Sequence, residues 1–165
     1  MLHLWTPWRS TYIHAKTDMR RCIFCEAARG SNDEESFVIY RGALCFVLLN
    51  RYPYTSGHVM IAPYDHVSRL SDTTQEATDE MMRVARRAEQ ALEEVYHPDG
   101  INLGMNLGEA AGAGIEQHIH LHVLPRWKGD ANFMSTVSDT RIIPETLDMT
   151  YTKLRPKFAE FLPAQ

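Results

Sequence analysis

The 165-residue chain has no long apolar run and no surplus of basic residues. No stretch approaches the roughly 18 apolar residues that a membrane-spanning helix needs. Residues 1–9 lack the charged-then-apolar order of a secretory signal. Seventeen Lys and Arg against twenty-one Asp and Glu give a formal charge of −4, which argues against a broad surface for gripping nucleic-acid backbones. We therefore expect a cytoplasmic protein without membrane or nucleic-acid partners, able to bind a small anion through local groups.

Cysteine is also scarce, with three residues in the chain. Cys22 and Cys25 form a Cys-x-x-Cys pair, which in a cytosolic protein indicates metal or redox chemistry rather than a disulfide scaffold. A reduced thiol pair without metal is the alternative interpretation. Cys45 lies alone in an apolar run and is expected to be a small buried hydrophobe.

Hydrophobic residues make up 44% of the chain, enough for the core of one domain spanning residues 1–165. Short apolar segments separated by turns predict strands, and a 3.6-residue apolar period predicts one long helix. The predicted strands cover residues 37–40, 44–49, 58–62, 101–106 and 118–124, and the predicted helices cover residues 73–96 and 144–158. This order predicts an α+β fold, with an antiparallel sheet of about five strands covered on one face by the long helix.

Three histidines alternate with apolar residues at positions 118 to 122. On a strand His118, His120 and His122 would share one face, with successive rings roughly 6.5 to 7 Å apart. Because an outer pair roughly 13 Å apart cannot easily hold one ion, this spacing favours different tasks for the three rings. A neutral imidazole is a nucleophile toward phosphorus, so the array suits phosphoryl or nucleotidyl transfer. Incidental surface histidines are the alternative.

The run from His118 to Leu124 resembles the motif of the histidine-triad superfamily, and residues 49–63 resemble the segment before that family's central strands. The resemblance covers roughly residues 20–127. It implies an N-terminal arm over residues 1–20, a core over 20–127 and a C-terminal extension over 128–165. Residues 5–9, 110–114 and 125–133 resemble the bacterial diadenosine tetraphosphate phosphorylase branch.

The resemblance also implies catalytic roles for three histidines. His120 would attack the α-phosphate and form a nucleotidyl-histidine intermediate. His122 would contact the phosphate and assist protonation of the leaving group, and His58 would orient a triad ring. A covalent intermediate of this kind divides displacement at phosphorus into two steps.

By the same resemblance Asn50 holds the ribose hydroxyls and Asn106 a phosphate oxygen, tasks that suit amide side chains. The turn from Gly108 through Gly112 to Gly114 offers backbone N–H groups to the developing negative charge. The alternatives are asparagines that satisfy loop groups, and a hairpin loop without a ligand.

The chain departs from the family pattern at Gly114, where hydrolytic members carry Gln, and its loop is one residue longer. This departure favours orthophosphate as the second nucleophile. We therefore expect a nucleotidyltransferase that cleaves diadenosine tetraphosphate to ATP and ADP. Two alternatives remain. One is a dinucleoside polyphosphate hydrolase or nucleoside phosphoramidase that uses water, and the other is a binding protein without turnover.

Family members that share the cysteine pair bind structural zinc, which implies a site formed by Cys22, Cys25, His66 and His118. The resemblance also implies a homodimer, and it leaves open whether a divalent cation accompanies the polyphosphate. The three tryptophans are interpreted as base-stacking or dimer contacts: Trp5, Trp8 and Trp127.

Overall fold

A five-stranded antiparallel sheet organises the protein. The computed structural model describes residues 22–130 and 143–160, so the predictions for Trp5, Trp8 and the N-terminal arm lie outside the described residues. The strands follow the order β1-β2-β3-β5-β4. Their bounds are β1 Val38–Arg41, β2 Cys45–Leu49, β3 Val59–Pro63, β4 Gly100–Met105 and β5 Leu121–Arg126. The predicted α+β class and five-stranded sheet are confirmed.

Four α-helices accompany the sheet in the described ranges, and they comprise α1 Ile23–Arg29, α2 Asp33–Ser36, α3 Gln75–Tyr96 and α4 Leu147–Ala159. The sequence predicted α3 and α4. Helix α3 begins where the Thr74 side chain accepts the Ala77 N–H and ends at His97 in the left-handed conformation. Short 3₁₀ turns cover Leu70–Asp72 and Glu109–Ala111. None of the described helices is long and apolar enough to cross a membrane.

The long helix covers one face of the sheet, as predicted, and a second cluster of buried residues covers the other face. Side chains alternate along a strand, so the fully buried β2 sends its residues to two different clusters. Cys45, Val47 and Leu49 pack with helices α3 and α4. Phe46 and Leu48 pack on the other face with Phe24 of α1. The second cluster was missed because the seven-residue α1 is too short to show a helical period.

Strand β5 lies between β3 and β4 and begins three residues later than predicted, at Leu121 rather than at residue 118. Its neighbour on one side is β3, where Met60 lies opposite His122. On the other side Gly104 of β4 lies opposite the same histidine. His122 therefore lies on the face of α1, whereas Leu121 and Val123 pack toward α3 as predicted.

Candidate active site

The three histidines do not form the regular ladder that the sequence predicted. His118 and His120 precede β5, and the backbone N–H of Ile119 donates a 2.8 Å hydrogen bond to the carbonyl of Val67. The rings of His120 and His122 are edge to face with centroids 4.8 Å apart. This distance is shorter than the roughly 6.5 to 7 Å predicted for neighbouring rings on a regular strand. The prediction of incidental surface residues fails as well, because His118 and His120 are buried.

His120 is held by its own segment of chain. Its Nδ1 lies 2.9 Å from the carbonyl oxygen of His118, which can only accept a hydrogen bond. Nδ1 therefore carries the proton, and Nε2 keeps its lone pair. Phe24 lies against the ring with centroids 4.7 Å apart and fixes its plane. The contacts leave one imidazole nitrogen as an oriented nucleophile.

A second chain of hydrogen bonds assigns the protons of His58 and His122. The backbone N–H of Tyr54 donates to His58 Nδ1 at 3.1 Å, so the proton of His58 is on Nε2. That N–H points at His122 Nδ1, 2.9 Å away. The proton of neutral His122 is then on its Nε2, available to a ligand. The structure thus brings His58 to the triad ring that it was predicted to orient.

Burial keeps these rings neutral near pH 7. Desolvation lowers the pKa of His58 to about 3, helped by the neighbouring His122 and His120. Desolvation and the adjacent His120 lower the pKa of His122 to about 4. Burial also lowers the pKa of His120, against the opposing effect of its bond to the His118 carbonyl. A neutral His120 has the lone pair that a nucleophile needs.

The predicted phosphate-binding residues lie beside this cluster. Met105, the last residue of β4, pairs with Leu121, the first residue of β5, so the chain continues from this pair to Asn106 on one strand and to His120 on the other. The loop then turns at Gly108 and Gly112, whose φ values of 85° and 90° favour glycine. A Cβ added at Gly104 or at Gly108 would meet no atom within 4 Å. Space for a ligand is therefore open on the β4 side of His122, and the exposed Gly114 lies later in the same loop.

Asn50 lies on the other side of the histidines, directly after β2. Its side-chain Nδ2 is 3.4 Å from His58 Nδ1, and its Oδ1 accepts the Tyr52 N–H at 2.9 Å. The amide is half-buried and its orientation is fixed. It can present polar atoms to the same open face as the histidines.

The four predicted metal ligands converge at the opposite end of the run. Their ligand atoms all lie within 4.8 Å of one another, and they belong to Cys22, Cys25, His66 and His118. The Sγ of Cys25 lies 3.2 Å from His66 Nδ1 and 3.7 Å from His118 Nδ1. The Sγ of Cys22 lies 3.4 Å from His118 Nδ1.

These separations fit a tetrahedral ion. Bonds of about 2.3 Å to sulfur and about 2.0 Å to nitrogen at tetrahedral angles imply S···N distances of roughly 3.5 Å. His118 Nε2 donates to the carbonyl of Pro63 at 2.9 Å, which leaves its Nδ1 lone pair for the ion, as metal-ligating histidines require. Two thiols and two such imidazoles are the donor set of structural zinc sites.

His118 links the four candidate metal ligands to His120. Its ring faces the cysteines while its carbonyl accepts the proton of His120. Phe24, between the two cysteines in sequence, contacts both His118 and His120, with centroids 5.1 Å and 4.7 Å away. An ion held by the cysteines would therefore fix the residues on which His120 rests.

Sequence analysis missed Phe24 and Tyr54 as parts of this site. Phe24 lies between the two cysteines of the predicted metal-binding pair and is fully buried. The prediction assigned roles to the cysteines alone. Tyr54 supplies the N–H that determines the His58 tautomer, and its ring lies 4.8 Å from His58. A backbone donor has no signature in the sequence. For Phe24 the sequence does offer a signal, because an aromatic residue stands inside the Cys-x-x-Cys pair.

Two further predictions concern single side chains. Cys45 is fully buried, as expected, and burial beside Glu80 raises the pKa of its thiol to about 12. Trp127 is half-buried and packs edge to face against Tyr96 at the end of α3. The interpretation of Trp127 as a base-stacking or dimer contact stays a prediction.

Known proteins resemble the chain over most of its length. A family model described as the HIT domain matches residues 31–129. The "AP-4-A phosphorylase" of Mycobacterium tuberculosis is 38% identical over 164 residues, covering 94% of this chain and 84% of that protein. The "Bis(5'-adenosyl)-triphosphatase" of Dictyostelium discoideum is 31% identical over 133 residues, covering 76% of this chain and 88% of that protein.

The fold has solved counterparts. The crystal structure of a zinc-bound histidine triad family protein from Mycobacterium smegmatis is 32% identical, with a TM-score of 0.69. The match covers 86% of this chain and 96% of that one. With the HIT model matched over more than half of the sequence and the histidines arranged as described, the chain belongs to the HIT domain family.

Proposed function

We propose that this HIT-family enzyme cleaves diadenosine tetraphosphate with orthophosphate, giving ATP and ADP through a nucleotidyl-His120 intermediate. The observation that carries the proposal is the His120 ring, whose Nδ1–H is bonded to the His118 carbonyl and whose Nε2 is unprotonated. The 38% identity to a phosphorylase named for this dinucleotide supports the substrate. The substrate class is a small nucleotide, not a nucleic-acid polymer.

In the first step His120 Nε2 attacks the α-phosphorus of one adenosine. The P–N bond forms as the bond from the α-phosphorus to the bridging oxygen breaks, and ATP leaves with the bonding electrons. His122 Nε2–H donates a hydrogen bond to that oxygen. Because a pKa of about 4 keeps His122 neutral, it stabilises the leaving anion as a hydrogen-bond donor.

The adenylylated imidazole carries a positive charge, since Nδ1 keeps its proton. The His118 carbonyl, 2.9 Å from Nδ1, stabilises that charge. In the second step an orthophosphate oxygen attacks the same phosphorus, the P–N bond breaks, and ADP forms. His120 returns to its starting tautomer, so no net proton is lost.

Residues on both sides of the histidines would hold the nucleotide. We assign the ribose hydroxyls to Asn50 and a phosphate oxygen to Asn106. Backbone N–H groups of the loop would hold the remaining negative charge at Gly108 and Gly114, whereas the N–H of Gly112, the third predicted glycine, donates to the Glu109 carbonyl at 2.8 Å and serves to close the turn. The positive φ values at two of these glycines and the open space at Gly104 support this assignment.

Zinc at the four-residue cluster would be structural. When bound, it would hold the Cys22–Cys25 turn against the sheet and fix the ring of His118. No open coordination position is needed, because two sulfurs and two nitrogens complete a tetrahedron. The cytoplasmic location stays a prediction from the sequence, and whether a divalent cation accompanies the polyphosphate is left open by the family resemblance.

A hydrolase is the second candidate, with water attacking the adenylylated His120 to release AMP. The 31% identity to a triphosphatase supports it. We favour phosphorolysis because the match to the phosphorylase covers more of the chain and because Gly114 replaces the amide of hydrolytic members. The hydrogen bonds of His120 and His122 assign them tautomers that suit a nucleophile and a proton donor, which favours an enzyme over a protein that binds nucleotides without turnover.

We also propose a homodimer formed along β4. This strand is at the edge of the sheet and is exposed along most of its length, with Leu103 45% exposed. Unpaired edge groups and an exposed apolar side chain are features of strands that pair with another chain. Sedimentation equilibrium should give twice the mass of the chain, 18.9 kDa. A Leu103→Lys variant should shift the equilibrium to monomer, and a monomeric wild type would contradict this interface.

Product analysis tests the proposed reaction. The enzyme is incubated with diadenosine tetraphosphate with and without orthophosphate, and nucleotides are separated by ion-exchange chromatography. We expect equimolar ATP and ADP that require orthophosphate. Equal yields of ATP and AMP independent of phosphate would establish the hydrolase, and no turnover would refute both candidates.

A further inference from the structure

A cavity of about 420 Å³ opens beside His118, and apart from Gly108 none of its lining residues has a role in the two steps described above. Its lining comprises Ser68, Arg69, Leu107, Gly108, Glu116 and Gln117. The volume falls within the roughly 300 to 1,000 Å³ of small-molecule sites. Part of the lining belongs to the loop between Asn106 and His118, and part to the segment after β3.

The two walls of the cavity meet next to the nucleophile. Val67, just before Ser68, accepts the 2.8 Å hydrogen bond from Ile119, the residue that precedes His120. Gln117 on the other wall is immediately before His118. An extended phosphate chain that begins at His120 can therefore continue into this cavity.

Arg69 is the basic side chain of the lining, and it has no ion-pair partner among residues 22–130 and 143–160. Its backbone is anchored, because the Arg69 carbonyl accepts the Asp72 N–H at 3.1 Å and the Thr73 hydroxyl at 3.3 Å. An anchored backbone with a free guanidinium suits phosphate, whose oxygens match its planar fork of donors.

The remaining lining also fits a phosphate chain. Ser68 and Gln117 carry hydrogen-bond donors, and the backbone of Gly108 is accessible at a φ of 85°. Glu116 is the acid of the lining, and it lies outside ion-pair distance of Arg69. Its negative charge opposes that of the phosphates, so the two charged residues should have opposite effects on affinity.

We propose that Arg69 binds the phosphates of the leaving nucleotide and thereby selects substrates whose leaving group is a polyphosphate. The inference rests on the proposed nucleotidyl transfer to His120. It concerns the first step alone, which is common to phosphorolysis and hydrolysis. Arg69 is thus a specificity-determining residue for the leaving group.

The test compares two leaving groups in wild type and Arg69→Ala. Diadenosine tetraphosphate releases ATP, whereas the p-nitrophenyl ester of AMP releases a phenol without phosphate. We expect kcat/KM for the dinucleotide to fall about tenfold in the variant, the effect of losing one arginine–phosphate contact. The value for the ester should remain unchanged.

Two controls address charge. Arg86→Ala removes the same charge from the exposed side of α3 and should change neither substrate's kcat/KM. Glu116→Gln keeps the shape of the lining and should raise kcat/KM for the dinucleotide. An Arg69→Ala effect of equal size on both substrates would indicate a structural role, and no effect on either would identify a solvated surface charge. Either result overturns the proposal.

A direct binding measurement separates this inference from the proposed function. Titration calorimetry with inorganic tripolyphosphate should show about tenfold weaker binding to Arg69→Ala than to wild type. If wild type fails to cleave the dinucleotide, the proposed function is wrong. The calorimetry then still decides on Arg69: equal affinities of the two proteins would refute phosphate binding in the cavity.

Discussion

His120 and His122 have different hydrogen-bond partners, which suits them to the different roles that we propose. A backbone carbonyl holds the Nδ1 proton of His120, whereas a second imidazole, His58, donates to Nδ1 of His122. The first arrangement exposes a lone pair and the second exposes a proton. Both arrangements need neutral rings, which burial provides.

Replacing His120 by Ala should abolish nucleotidyl transfer. We expect kcat to fall by at least about a thousandfold, because a nucleophile is lost rather than a binding contact. A matched control is His97→Asn, since Asn tolerates the left-handed conformation at the end of α3. Rates from product chromatography should be near wild type for His97→Asn, and substantial activity in His120→Ala would contradict the assigned nucleophile.

Acid should destabilise the fold in a defined pH window. The folded-state pKa values of His58 and His122, about 3 and about 4, lie below the ordinary 6.5. The unfolded chain therefore binds more protons below pH 6.5, so their stabilising contribution is complete above that pH and is lost as the pH falls toward 4 and 3.

Urea unfolding at pH 6.5 and at pH 5 measures this loss of stability. Both pH values lie above the ordinary pKa values of carboxyl groups, so the histidines dominate the change. We expect the free energy of unfolding to fall by about 2 kcal/mol per buried histidine across the window. A His58→Gln variant should show a smaller slope. Constant stability of the wild type between the two pH values would contradict the neutral, buried state of these rings.

At the scale of elements, the Cys22–Cys25 turn and helix α1 determine how well His120 is positioned. Cys22→Ser should remove the zinc that we expect at one atom per chain, measured by mass spectrometry of the metal. Thermal unfolding should occur at lower temperature, because the N-terminal segment loses its link to the sheet. Cys45→Ser, whose thiol is outside the cluster, should keep the metal. Full metal content in Cys22→Ser would exclude that ligand.

Patterns within a single element were predictable from the sequence. The apolar period of α3 and the short strands β1 to β4 follow from local sequence, and each observed boundary lies within three residues of its prediction. The four metal ligands came from the family resemblance, and their convergence agrees with it.

Features that depend on tertiary contacts were not predictable. The run from His118 to His120 alternates like a strand. Its backbone instead bonds outside the sheet, because the Ile119 N–H donates to the Val67 carbonyl, and β5 begins at Leu121. The burial of Phe24 beneath two histidines and the Tyr54 N–H donor likewise depend on residues distant in sequence. The local pattern of side chains contains no information about such partners.

At the scale of the whole molecule, the two faces of the sheet carry different features: the larger core cluster on one, and the candidate site on the other. Helices α3 and α4 cover one face and pack with the strands in the larger of the two core clusters, to which Leu92 and Phe158 belong. The other face carries α1, the metal cluster and the histidines. Asn50 contacts His58 on one side of the histidines, and the Arg69 cavity adjoins the residues before His118 on the other. We propose that a dinucleotide extends between these two sides.

We propose that orthophosphate accepts the adenylyl group from His120. Isotope labelling tests this transfer: orthophosphate labelled with ¹⁸O is supplied with unlabelled diadenosine tetraphosphate, and the nucleotides are analysed by mass spectrometry. We expect label in the β-phosphate of ADP and none in ATP, since ATP leaves before orthophosphate attacks. Unlabelled ATP accompanied by AMP, with the orthophosphate unconsumed, would contradict it.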